Sequence, residues 1–298
     1  MDQSTGVKIR PLSADLQEIA IQELNEVPIR LADDVLSLRT WIQKQPHLRA
    51  RTDDQWLIAF LRGSKFSLEK AKKKIDRYYT LKAAIPEIFN ERLIVFTIPS
   101  IILQIQLPCN EARPCITIIR AGSYDTNKFK FEEIIRVGTM FGDIMTLEDD
   151  NSTVCGYIEI MDMAHVTGAH FFQLQPELLK KLSVFADEAM PMRQRGTHFI
   201  NVPPPFEMGF NALRKFFPTK ALSRISVNAE PDAIFNYVPR AYLPIEYGGN
   251  DSNIIIKLYK YYSYINLNVK TIIISGFHLR VYTPINTHTM NSHMYLIL

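Results

Sequence analysis

Cysteine is scarce in this chain, and Cys109, Cys115 and Cys155 form an odd set with no zinc-ligand spacing. That excludes a disulfide scaffold and a cysteine zinc site, and fits a reduced, cytoplasmic protein in which each is a small core residue. Charge of one sign is also scarce: 34 Lys and Arg against 31 Asp and Glu leave a net charge of +3. Such a balance cannot hold a polyanion everywhere on the surface, so any anion must be met by a local cluster. Long hydrophobic runs are missing. The greasiest early stretch, Leu93 to Leu107, is broken by Pro99, Gln104 and Gln106 before it reaches the length of a membrane span. The first residues carry no apolar run and no glycine for myristoylation. The expectation is a soluble protein with at most peripheral membrane contact.

Catalytic signatures are equally sparse. No glycine-rich phosphate loop, dinucleotide fingerprint or nucleophile elbow occurs. His165 and His170 are five apart, so on a helix they would project about 140° from each other and form no two-histidine metal face. Neither an aromatic RNA-binding motif nor a basic recognition helix is found, which argues against nucleic acid as a partner. Asp162, at the end of a greasy strand, reads as an acceptor for nearby backbone N–H groups. The chain is therefore expected not to be an enzyme, and to carry no metal and no cofactor. A monomer is expected.

What is abundant is large, flexible apolar surface, with 47% hydrophobic residues, 10 Met and 17 Phe in 298. The stretch from Met190 to Ile225 concentrates it. Arg193 and Arg195 precede a short strand, Thr197 to Val202. After Pro203, Pro204 and Pro205, residues Phe206, Phe210, Leu213 and Phe217 recur at spacings of four, three and four, one face of a helix that must be covered. Lys220 and Arg224 follow.

Taken in order, residues 12 to 45 read as two amphipathic helices split near Pro28, the second with an apolar stripe at Leu31, Val35, Leu38 and Ile42. Asp53 and Asp54 start a third helix that Gly63 ends, and Ser67 is placed to cap a fourth. In that fourth helix Lys70, Lys72, Lys73 and Lys74 read as a solvated face. From about residue 112 strands alternate with helices: Cys115 to Arg120 extended, Lys128 to Leu147 helical, Val154 to Met161 extended, Pro176 to Ala189 helical, then the strand at Thr197, the Phe-rich helix and a strand at Ile225 to Asn228. That alternation predicts an α/β fold with a mostly parallel sheet and crossover helices behind an all-helical front end.

The run from Arg51 to Ala71, Arg-Thr-Asp-Asp-Gln-Trp-Leu-Ile-Ala-Phe-Leu-Arg-Gly-Ser-Lys-Phe-Ser-Leu-Glu-Lys-Ala, resembles the N-terminal helical signature of the CRAL-TRIO (Sec14-like) lipid-transfer family. Tyr157 to Met163, His198 to Asn201 and Tyr242 to Gly249 continue the resemblance, which covers about residues 10 to 250 and points to the tocopherol- and retinal-carrying branch. The run Lys44 to Asp54 is similar to insect members. Three segments follow: a helical subdomain at 10–90, a lipid-binding domain at 91–250 with a helical lid over a hydrophobic cavity, and an atypical tail at 251–298 without glutamate, tryptophan or a sustained period. The tail reads as a divergent or alternative end, with poor order as one expectation.

The resemblance implies a cavity lined by Ile135, Gly138, Gly142, Tyr157, Met161, Met163, Val166, Leu174, Leu182, Phe185, Met190 and Met192. Its lid would carry Phe206, Phe210, Leu213 and Phe217. It also implies that Arg193, Arg195, Lys220 and Arg224 meet a phosphoinositide headgroup. Gly138 and Gly142 replace small hydroxylated residues of the tocopherol carrier, which makes the pocket roomier there. The implied activity is binding and intermembrane transfer of a small hydrophobic lipid, with the lid opening at a phosphoinositide-bearing membrane. The alternative is a lipid sensor or scaffold that regulates a partner.

Overall fold

The structure, a computed structural model, describes residues 8–90, 94–95, 102–105, 114–216, 219–249, 280–281 and 295–297. Its front end is helical because its helices bury apolar residues against one another, and two of the starts carry a side-chain cap. Ser13 accepts the Leu16 N–H and opens α1 (Ala14–Leu24), which Asn25 ends at φ +61°. A 3-10 turn at Pro28–Arg30 leads into α2 (Leu31–Gln43), which buries Val35, Leu38 and Ile42. Asp53 accepts the Trp56 N–H and starts α3 (Asp54–Gly63). Ser67 stands before α4 (Leu68–Ala84), yet its side chain makes no capping bond. Short α5 (Pro86–Phe89) completes the group. Trp56, Phe60 and Tyr78 meet edge to face with centroids 5.3–5.6 Å apart, the arrangement aromatic quadrupoles prefer.

Two charged groups sit in this interior. Arg62 and Glu26 have side chains 1% and 0% exposed and form a 3.0 Å ion pair. Arg62 also reaches Asp150 at 3.3 Å, and Arg10 reaches Asp150 at 2.5 Å, so the front helices are tied to the α/β part through charges.

Behind them lies a five-stranded sheet ordered β2-β3-β4-β5-β6. A short β1 (Ile94–Val95) precedes β2 (Ile102–Ile105), which runs antiparallel to β3 (Cys115–Arg120) at one edge. From β3 onward all pairings are parallel: β4 (Tyr157–Asp162), β5 (Gln194–Ile200) and β6 (Ile225–Val227). Helices fill the crossovers. They are α6 (Phe131–Glu148) and α7 (Asp150–Cys155), then α8 (Gly168–Phe172) and α9 (Pro176–Glu188), then α10 (Pro204–Leu213) and α11 (Thr219–Leu222). The mostly parallel α/β architecture is as expected.

Period-two alternation divides the sheet. Ile116, Ile118, Ile160 and Ile200 pack under Ala233, Ile234, Val238 and Leu243 from the 3-10 turns near the end of the domain. Cys115, Tyr157, Met161 and Phe199 face the other way, toward the crossover helices.

Several boundaries differ from the sequence reading. The expected strand from Val154 begins at Tyr157, because the Asp149 carboxylate accepts the Asn151 and Ser152 N–H groups at 3.0 and 3.2 Å and winds 150–155 into α7. Gly156, at φ +84°, then turns the chain into the sheet. The helix expected from Lys128 starts at Phe131, since Lys128 and Phe129 close a turn on the Asp125 carbonyl. The strand at Thr197 starts at Gln194 and stops before Asn201 at φ +53°. The Phe-rich helix ends at Leu213 and tightens into a 3-10 turn at Arg214–Phe216. The lysine run is not wholly solvated: Lys74 donates to the Met190 carbonyl at 2.9 Å.

In the expected tail, β7 (Arg280–Val281) pairs antiparallel with β8 (Tyr295–Ile297), and β8 pairs antiparallel with β1. The rest of 251–298 lies outside the described residues, as do Cys109, Phe217 and the side chains of Leu213 and Lys220.

Candidate functional site

Two neighbouring cavities lie between the helix-facing side of the sheet and the crossover helices. The first is an apolar chamber of about 140 Å³. Ile119 of β3 and Met161 of β4 form its sheet wall, with Met163 just past the strand. Ile134, Ile135 and Gly138 of α6 form one side, Val166, Phe171 and Leu174 another, and Phe206 of α10 adds to the wall. Phe206 is 9% exposed and stacks on Phe210 at 6.0 Å, both rings resting on Phe199 at 5.5 and 5.7 Å. At Gly138 an added Cβ would meet nothing within 4 Å. Gly209 instead lies against the Phe171 ring, where a Cβ would come within 2.2 Å of Cζ. Next to that contact on either element, Phe172 and Met208 point outward, 89% and 75% exposed.

The second cavity, of about 620 Å³, is amphipathic. Met161, Met192, Phe199, Phe210 and Ile225 supply apolar wall; Glu159, Gln194, Thr197, Lys74, Asp187 and the arginines Arg193, Arg195 and Arg224 supply polar wall. Met161 lines both spaces.

Each arginine is oriented by a backbone carbonyl. Arg193 donates to Val154 O, Arg195 to Cys155 O at 3.0 Å, and Arg224 to Gln194 O at 3.1 Å. The Glu23 carboxylate of α1 stands 3.2 Å from Arg195 and 3.7 Å from Arg193. Burial, then the neighbouring Arg195, lowers the pKa of Arg193. Its Nε is buried without a hydrogen-bond partner among the described residues. Glu159 accepts from Gln194 Nε2 at 2.7 Å and from Thr197 Oγ1 at 3.3 Å, and burial pushes its pKa up. Three guanidiniums beside an apolar cleft can hold an anionic group while a hydrocarbon lies against the wall beyond.

Of the twelve residues expected to line a cavity, Ile135, Gly138, Met161, Met163, Val166 and Leu174 surround the apolar chamber, and Met192 lines the larger space. Gly142, Tyr157, Leu182, Phe185 and Met190 line neither. Phe185 packs toward the front helices, 4.9 Å from Phe89 and 5.6 Å from Tyr78. Leu182 joins it there, Tyr157 sits between α6 and the sheet, and Met190 touches both clusters. At Gly142 an added Cβ would stand 3.3 Å from Met190 Cε. Phe206 lines the apolar chamber, while Phe210, Arg193, Arg195 and Arg224 line the larger space.

Sequence reasoning missed Glu159, Glu23, Lys74, Ile119, Ile134 and Phe171. Glu159 did leave a signal, an acidic residue inside an otherwise apolar strand. Glu23 left none, because its partners are about 170 positions away. His170 lines the chamber while its Nε2 contacts the Tyr124 carbonyl at 3.1 Å. Asp162 accepts from Ala164 N, Asn201 Nδ2 and Tyr247 Oη at 3.0, 2.7 and 2.7 Å.

Residues 28–94 match the family described as "Pinta-like, UBA domain", and residues 109–249 match "CRAL/TRIO domain". "Alpha-tocopherol transfer protein-like" of Homo sapiens is 27% identical over 244 residues, covering 80% of this chain and 71% of that protein. "Clavesin-2" of Homo sapiens is 26% identical over 247 residues, covering 80% and 75%. A solved structure titled "Crystal structure of Sfh5" superposes with a TM-score of 0.47 at 14% identity, covering 88% of this chain and all of that one.

Proposed function

We propose that this chain, whose residues 109–249 match the CRAL/TRIO domain family, holds one hydrophobic lipid in its two cavities together and moves that lipid between membranes. The observation that carries the reading is the apolar chamber lined by Phe206, adjoining a space lined by three arginines. A relative named for tocopherol transfer supports the ligand class. Burying a lipid here is driven by about 25 cal/mol per Å² of apolar surface removed from water, with no covalent step. The helical unit at 10–90 and the lipid-binding unit at 91–250 belong to the same proposal.

Helix α10, with Phe206 and Phe210, acts as the lid. Exposed Phe172 and Met208 flank its contact with α8 and suit a membrane surface, while Arg193, Arg195 and Arg224 take the phosphates of a phosphoinositide headgroup. Headgroup binding opens the lid to the extent that it is tighter in the open state. In this reading the membrane contact is peripheral and made from the cytoplasmic side. Among the described residues no helix is long and apolar enough to cross a membrane.

Gly138→Phe tests the cavity. The new side chain has open space to enter, and replacing a helix-interior glycine by phenylalanine recovers roughly 0.5 kcal/mol of helix propensity. Uptake of a fluorescent tocopherol or retinoid should fall at least tenfold while the melting temperature holds or rises. Unchanged uptake would mean that the ligand lies elsewhere.

Glu23 competes with the headgroup for Arg193 and Arg195. Its side chain is 51% exposed, so the pairs contribute about 0–1 kcal/mol to stability. Glu23→Ala should leave the fold intact and raise affinity for vesicles containing phosphatidylinositol bisphosphate by up to about fivefold in co-sedimentation. Weaker binding would show that Glu23 holds the arginines in position.

A further inference from the structure

We infer that Glu159 is the recognition point for a lipid ending in a hydroxyl group, so that the cavity prefers a lipid alcohol over the matching ether. This deepens the lipid-binding reading and rests on it.

Glu159 sits in the middle of β4, flanked by Ile158 and Ile160, on the same face as Met161 two residues on. Alternate strand residues are about 7 Å apart, so the carboxyl lies one side chain away from the wall shared with the apolar chamber. A carboxyl on the floor of a cavity with this much apolar wall carries a desolvation cost unless its oxygens are paired. One oxygen is paired: Oε2 accepts from both Gln194 Nε2, at 2.7 Å, and Thr197 Oγ1, at 3.3 Å. Oε1 has no hydrogen-bond partner among the described residues. The amide and hydroxyl therefore fix the carboxyl in place and leave one oxygen open to the cavity.

A ligand hydroxyl satisfies that oxygen and can still accept a hydrogen bond itself. An ether can only accept and leaves Oε1 unpaired, the situation in which a polar site rejects an analogue lacking its donor. An ammonium would also donate, but Lys74, Arg193, Arg195 and Arg224 line the same cavity and repel it. A carboxylate would be drawn to the guanidiniums of the same cavity and leave Oε1 of Glu159 without a donor. With the hydroxyl at Glu159, the hydrocarbon runs over Met161 toward the chamber lined by Phe206.

The test compares retinol with retinyl methyl ether, which share one polyene, by fluorescence titration of the full chain. The wild type should bind retinol about tenfold more tightly, the equivalent of one hydrogen bond to a carboxyl. Glu159→Leu should abolish the difference and bind the ether at least as tightly as the wild type does. Glu159→Gln, which keeps shape and an acceptor oxygen, should retain part of the preference, and thermal melts of all three proteins establish that each is folded. Equal affinities in the wild type, or an undiminished preference in folded Glu159→Leu, would overturn the inference and leave the lipid-binding reading standing. Binding of neither ligand by the wild type would overturn both.

Discussion

Glu26→Ala is expected to destabilise the protein by about 3–5 kcal/mol, because it leaves the Arg62 guanidinium buried with its main counter-charge removed. Asp150 remains at 3.3 Å, but it is shared with Arg10 and Gln55 and meets Arg62 through the other end of the guanidinium. In urea this should appear as a lower midpoint at nearly unchanged slope, and on heating as a fall of roughly 10 °C. The double replacement Glu26→Leu with Arg62→Met should recover much of the loss, since it removes both desolvation costs together. A single variant as stable as the wild type would show that water reaches the pair. The effect is large because Glu26, Arg62 and Asp150 join the front helices to the sheet domain.

Replacing Arg193 and Arg195 together by alanine should remove the headgroup site. Each charge-assisted contact contributes about 1.5–3 kcal/mol, so two lost contacts weaken headgroup binding by at least about a hundredfold. Lipid transfer to vesicles containing phosphatidylinositol bisphosphate should then be no faster than to neutral vesicles, whereas equilibrium affinity for the hydrophobic ligand should change little. Added salt should slow the wild type toward the same rate, as screening predicts. Both arginines also donate to carbonyls of the 154–155 segment, so a melting curve must accompany the assay. Equal acceleration in wild type and variant would return these side chains to a structural role.

Much of the fold was legible because it is written in local periods. The stripe Val35, Leu38, Ile42 is buried as its spacing requires, and Cys115 to Arg120 is a strand along its whole expected length. Where the reading slipped, a side chain outside the period decided the outcome, as when Asp149 captured two N–H groups and made helix of residues 150–155. The site was half legible. The family resemblance, not a strand or helix period, pointed to Met161, Ile135 and Gly138, and these three line one chamber. It pointed to Phe185 as well, but α9 has two apolar neighbours, and the choice between cavity and front-helix core is tertiary. Glu23 meets Arg193 and Arg195 only because α1 folds back across the chain.

The central claim, that a lipid occupies the space beneath Phe206, is tested most directly by native mass spectrometry of the protein as purified from its own cells. The account predicts one hydrophobic molecule per chain in the wild type and none in Gly138→Phe. A wild-type protein that carries no lipid and takes up none from vesicles, or a folded Gly138→Phe variant that retains the same molecule, would contradict it.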